Sequence, residues 1–98
     1  MHWTTAKDAI DKAVCLELIY DGLMRLVEVH AVGESTAGHA VMRVWQVEGG
    51  SNTKSGLGWR LLRLDEVRSV TLTSRSSNAP RAGYKRGDRD MRVVFAEL

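Results

Sequence analysis

Asp21-Gly22 stands between two runs of alternating character, Leu16-Glu17-Leu18-Ile19-Tyr20 before it and residues 23–30 after it. A two-residue Asp-Gly loop accepts positive φ at both central positions, which matches the twist of paired antiparallel strands. An antiparallel hairpin near the start of the chain is therefore predicted. The same pattern recurs downstream. Residues 39–47 read as a third strand and residues 59–64 as a fourth. Leu64-Asp65-Glu66-Val67 forms a tight acidic turn, and residues 68–73 form a fifth strand. A loop is expected at 33–38. The Gly-, Ser-, Asn- and Thr-rich stretch 48–58 is expected to be an exposed connection, with Gly49-Gly50-Ser51-Asn52 as a flap over a pocket. Met91-Arg92-Val93-Val94-Phe95 alternates again and is expected to close the sheet.

Before the hairpin, Ala6, Ala9, Ile10, Ala13 and Val14 recur at helical spacing, so one helix is predicted, with Thr5 as its cap and Asp8 supporting it. No crossover helices separate the strands, which excludes a parallel α/β sheet. One helix followed by five or six short strands predicts a mainly β fold, a small, strongly bent barrel of Sm/SH3-like type. At 98 residues the chain is read as a single domain, 1–98, with its core over 5–73 and a C-terminal arm and closing strand over 74–98.

No apolar run approaches the roughly 18 residues that cross a membrane, and the first residues lack the apolar segment of a leader. Cys15 is the one cysteine, so no internal disulfide forms, which fits a cytoplasmic protein. It is read as a small apolar filler. The formal net charge is +2, but it is unevenly placed. Arg75, Arg81, Lys85, Arg86, Arg89 and Arg92 face only Asp88 and Asp90 within 74–92, a local balance of +4. Arg81, Lys85 and Arg86 are accordingly candidates for contact with a polyanion or a partner.

The chemistry lies in the strands. Arg43, Arg60 and Arg63 sit in alternating segments, where a guanidinium must be paired or hydrated. Arg60 and Arg63 have opposite parity and point to opposite faces. Arg43 with one of them can hold a phosphate in a bidentate manner. Their alternative is an ion pair with Glu17, Glu28 or Asp65. Glu28 and His30 share a strand face, roughly 7 Å apart. They are candidates for hydrogen bonding to a ligand, or for a structural polar pair. A zinc site needs three or four ligands, so no metal is expected. Trp45, Trp59 and Tyr84 are candidate aromatic platforms, Tyr84 being set among basic residues. No nucleophile elbow, paired carboxylates or P-loop is legible, so no catalytic residue and no cofactor are expected.

Residues 10–73 resemble the WYL domain. The marks are the helix leading into Leu18-Ile19-Tyr20, the Asp-Gly turn, the strand Arg25-Leu26-Val27-Glu28-Val29-His30, and the block Trp59-Arg60-Leu61-Leu62-Arg63-Leu64-Asp65-Glu66-Val67. Short bacterial WYL-like proteins also share an ending like Pro80-Arg81-Ala82-Gly83-Tyr84-Lys85-Arg86-Gly87-Asp88. Where the naming Trp-Tyr-Leu triplet falls, this chain has Ala40-Val41-Met42. The resemblance implies ligand-contacting arginines on the fourth strand and no helix-turn-helix. The expected function is a non-enzymatic module that captures a small anionic, nucleotide-type ligand. Arg43 and Arg60 would supply charge, Trp59 or Tyr84 would stack, and Glu28, His30 and Gln46 would give polar help. It would act as a sensor or as a sequestering protein in phage–host conflict. The alternatives are a homodimerising or protein-interaction module, and a weak RNA or single-stranded DNA binder.

Overall fold

The computed structural model describes residues 2–50 and 57–98. Helix α1 spans His2–Lys12. The strands are β1 (Val14–Tyr20), β2 (Leu23–Ser35), β3 (Ala40–Gly49), β4 (Gly58–Arg63), β5 (Arg68–Ser76) and β6 (Met91–Glu97), with one 3₁₀ turn at Leu64–Glu66. They form one antiparallel sheet in the order β4-β3-β2-β1-β5, and β6 also pairs with β2. The mainly β class with one N-terminal helix is as expected from the sequence.

The hairpin is where the sequence puts it. Asp21 has φ 53° and Gly22 φ 75°, the conformation an Asp-Gly loop favours. β2 is the strand that organises the sheet. Its first part, residues 23–27, pairs with β1, and its last part, residues 31–35, pairs with β6. Its other edge runs along β3 from Arg25 to Glu34. Register shifts between Leu26 and Val27 and between Val29 and Ala31 mark bulges, which bend a strand and let it serve two neighbours on one edge.

Four expectations are corrected. The helix starts at His2, so Thr5 lies inside it and does not cap it. Ala13 has φ 54° and is exposed, so it ends the helix instead of extending its buried face. The loop expected from residue 33 begins later, because β2 continues to Ser35; the turn is closed by Gly38 N–H donating to the Ser35 carbonyl at 2.9 Å. β6 does not close the sheet: it pairs with β2, and no ladder joins β4 to β5 among the described residues. Gly33 permits this pairing, since a Cβ there would overlap the Val93 carbonyl.

The two faces of the sheet are both covered, by different means. Under α1, Ala6 and Ala9 pack on Leu16, Leu18, Val27, Val29, Met42, Val44 and Leu62. The opposite face carries Glu28, His30, Arg43, Trp45 and Trp59, with Ala31, Val41 and Met91 as a small second apolar cluster. Residues 77–90 lie over that face. Hence β2 is buried without a break from Arg25 to Gly33, as a strand covered on both sides must be. No helix among the described residues is long and apolar enough to cross a membrane.

Candidate ligand-binding cleft

The arm of residues 77–90 is fastened by two buried polar side chains of β2. Glu28 is 1% exposed and His30 0%. The Glu28 carboxylate accepts hydrogen bonds from Arg81 Nε at 2.6 Å, from Arg81 Nη2 at 3.2 Å and from the Asn78 amide at 2.6 Å. His30 Nε2 accepts the Arg81 amide at 2.9 Å, which leaves Nδ1 to donate to the Glu28 carbonyl at 3.0 Å. The bonding pattern thus assigns the tautomer. Burial pushes the Glu28 carboxyl up, but the Arg81 guanidinium and the Asn78 amide outweigh it, and the group lies below its ordinary value. Burial pushes His30 down from 6.5, with only partial relief from the Glu28 carbonyl, and the ring is neutral.

Aromatic rings extend this anchor. His30 meets Trp59 edge-on at 4.7 Å and Tyr84 at 5.1 Å. Trp45 and Trp59 are perpendicular at 5.3 Å, and the Arg81 guanidinium lies 5.5 Å from the Trp45 ring centre. Tyr84 donates its hydroxyl to the Leu98 carbonyl at 3.2 Å. A second fastening is ionic. Arg43 Nε meets Asp88 at 2.7 Å, and Arg43 Nη2 meets Asp90 at 2.6 Å. The Arg43 bond holds the Asp88 carboxyl below its ordinary value against the cost of burial.

Between arm and sheet lies a cleft of about 530 Å³, lined by Arg43, Trp59, Gly83–Tyr84 and residues 85–90. Four cations, Arg43, Lys85, Arg86 and Arg89, face two carboxylates, Asp88 and Asp90, so its lining is net positive. Arg86 is shared with Glu97 at 3.2 Å. Lys85 and Arg89 form no ion pair among the described residues. Trp59 and Tyr84 present rings 6.4 Å apart at 29°.

The sequence candidates divide between three places. Glu28, His30, Arg43, Trp59 and Tyr84 come together on the arm-covered face, with Arg81, Lys85 and Arg86 beside them. Arg63 shares that face's parity but sits at the end of β4, paired with Asp65 at 2.5 Å. Arg60 is opposite Val44 and so faces the helix side, donating to the Trp59 carbonyl at 2.9 Å. Arg43 and Arg60 therefore do not converge, and the joint clamp expected of them is corrected. The opposite facing of Arg60 and Arg63 agrees with their parity. Gln46 also faces the helix side, fully buried, donating to the Gly50 carbonyl at 3.0 Å and accepting from Arg25 at 3.5 Å.

Arg81 is bound to Glu28 rather than presented to a polyanion. Arg75 likewise pairs with Glu48, and Arg92 with Glu34. Of the flap expected at 49–52, residues 51 and 52 lie outside the described residues. Sequence reasoning missed Arg25, which is 3% exposed, and the roles of Asn78, Asp88 and Asp90. Asp88 and Asp90 were visible only as charges that reduce the arm's balance; nothing in their spacing indicated Arg43. No protein family, curated protein or solved structure matches this chain.

Proposed function

We propose that the chain is a non-catalytic binding module that captures a small anionic ligand carrying a planar ring, of nucleotide type, in the cleft between β3–β4 and the arm. The observation that carries this reading is the pairing, in one cleft, of two aromatic rings with two cations, Lys85 and Arg89, that form no ion pair among the described residues. Lys85 and Arg89 are available to a phosphate or carboxylate, where charge-assisted bonds are strongest. Trp59 or Tyr84 offers a face to the ring. Asp88 and Asp90 hold Arg43 at the back of the cleft and leave the lining positive. The Sm/SH3-like, WYL-type description of the fold belongs to the same proposal, supported by the helix-first order, the Asp-Gly hairpin and the long bent β2. The activity is sensing or sequestration, with binding and no turnover.

The test is a thermal-shift screen against mono-, di- and cyclic nucleotides, repeated with Lys85→Gln/Arg89→Gln, Trp59→Leu and Arg60→Ala. Binding raises the melting point through mass action. One nucleotide class should stabilise the protein. Each lost charge-assisted bond should weaken it about tenfold, and Arg60→Ala should leave it unchanged. A flat panel, or a response lost only in Arg60→Ala, would overturn the cleft as the site.

A second reading is favoured by β6. Val93, Val94 and Phe95 are 44%, 36% and 43% exposed on a strand that, among the described residues, pairs along one edge only, a surface suited to a second copy of the chain. Sedimentation of the protein and of Phe95→Lys distinguishes it: a dimer that the substitution dissociates supports this reading, and a monomer at all concentrations removes it.

A further inference from the structure

We propose that Glu28 and His30 form an acid-sensitive latch that keeps the arm docked, so that protonation of His30 undoes the wall of the cleft. The bonding geometry carries the argument. The fully buried His30 Nε2 is an acceptor for the Arg81 amide, and its Nδ1 already donates to the Glu28 carbonyl. A second proton on the ring must go to Nε2. There it meets an N–H donor 2.9 Å away, and the arm's central hydrogen bond becomes a clash of two donors.

The surroundings give an imidazolium little shelter. From β2 it faces the Glu28 carboxylate, the one favourable charge among the described residues. From the arm it faces the Arg81 guanidinium, which repels it, and the Tyr84 ring. From β4 it faces the uncharged Trp59, and its own backbone carbonyl is taken by the Leu98 amide. The Glu28 carboxylate is itself committed to Arg81 and Asn78. Moving Arg81 away resolves both conflicts, because it removes the opposing donor and the opposing charge and frees Glu28 for the imidazolium. Gly83 and Tyr84, two and three residues beyond Arg81, are cleft wall, so release of the arm dismantles the cleft.

The consequence for ligand binding rests on the cleft being the ligand site; the latch itself does not, and its test uses no ligand. Tryptophan fluorescence in a Trp3→Phe background, where it reports Trp45 and Trp59, and far-ultraviolet circular dichroism are followed from about pH 7.5 to about pH 4, below the ordinary histidine range. The fluorescence should pass through a reversible transition below 6.5, the ordinary value for this ring, while the dichroism stays unchanged. In His30→Gln, which cannot take up a proton, that transition should be absent. In parallel, nitrogen NMR of the wild-type imidazoles should show Nε2 of His30 gaining its proton over the same range in which the Arg81 amide loses its hydrogen-bonded shift. Fluorescence and dichroism changing together, a transition that persists in His30→Gln, or His30 protonated with the Arg81 amide shift unmoved would each overturn the latch. Loss of nucleotide binding with the latch intact would count against the cleft alone.

Discussion

β2 buries charge at two places, and the two are built differently. At Glu28 and His30 every polar atom has a partner: a bidentate guanidinium, two amides and a carbonyl. At Arg25 the same strand buries a guanidinium on its other face with much less. Its Nη1 reaches Gln46 only at 3.5 Å, its Nη2 reaches the Tyr20 carbonyl at 3.3 Å, and Asp21 is 3.9 Å away and half exposed. Its Nε has no hydrogen-bond partner among the described residues. The Tyr20 ring, 5.1 Å below the guanidinium, adds a cation–π contact. Burial accordingly pushes Arg25 below its ordinary value, with Asp21 offsetting only part. The comparison shows that a buried charge contributes to the fold through what it fastens. Glu28 and His30 fasten a segment fifty residues away in the chain; among the described residues Arg25 fastens its own hairpin and a neighbouring glutamine.

The largest expected effect follows from breaking the better-built centre. Glu28→Ala should cost about 3 kcal/mol in chemical denaturation, because it strands Arg81 and the Asn78 amide together. A loss near zero would mean that the arm is not held by this carboxylate. Next, Gly33→Val should cost about 2 kcal/mol by forcing β6 off β2. Its signature is faster amide exchange in β6 than in β1, whereas uniform acceleration would contradict a local cause.

The two centres also differ in their response to acid. Glu28 has a folded value depressed below 4.5, so its contribution is present above the unfolded value and lost as pH falls through the folded one. His30 is depressed from 6.5, so the unfolded ring binds the proton first, and stability begins to fall as pH drops below that point. Stability should therefore decline on acidification from 6.5 downward in the wild type and decline less in His30→Gln. Arg25 stays charged throughout this range and adds no slope. Smallest of all, Arg25→Met should leave stability unchanged or raise it by up to about 1 kcal/mol, since an apolar side chain removes a poorly compensated charge. A loss comparable to that of Glu28→Ala would erase the distinction between the centres.

Much of the fold was legible because it depends on local rules. Asp21-Gly22 fixed one hairpin, and alternation located the strands to within a few residues except at the end of β2, which runs on to Ser35. The departures arise where distant segments meet. The sequence around Gly33 reads as a loop, and it is pairing with β3 on one edge and β6 on the other that makes it strand. Final-strand closure was the natural expectation for β6, but the bulges in β2 opened a second pairing site for it on an edge already used. The site was partly legible for the same reason. Parity put Glu28 with His30 and separated Arg60 from Arg63, and Tyr84 stood out among basic residues. Parity within a strand does not say which residues face each other across strands, so Arg43 and Arg60 could not be separated. Nor does it reveal that Arg81 spends its charge on Glu28, because that contact spans the chain and carries no spacing signal.

The most direct test of the account is native-state hydrogen exchange at neutral pH, read at the Asn78 and Arg81 amides. These two amides donate to buried acceptors of β2 and to nothing in their own segment. If the arm is part of the folded body, both should be protected to nearly the extent of the Val27 and Val29 amides in the core. Exchange at the rate of an unstructured chain, with the core still protected, would contradict the docked arm and with it the cleft that the arm completes.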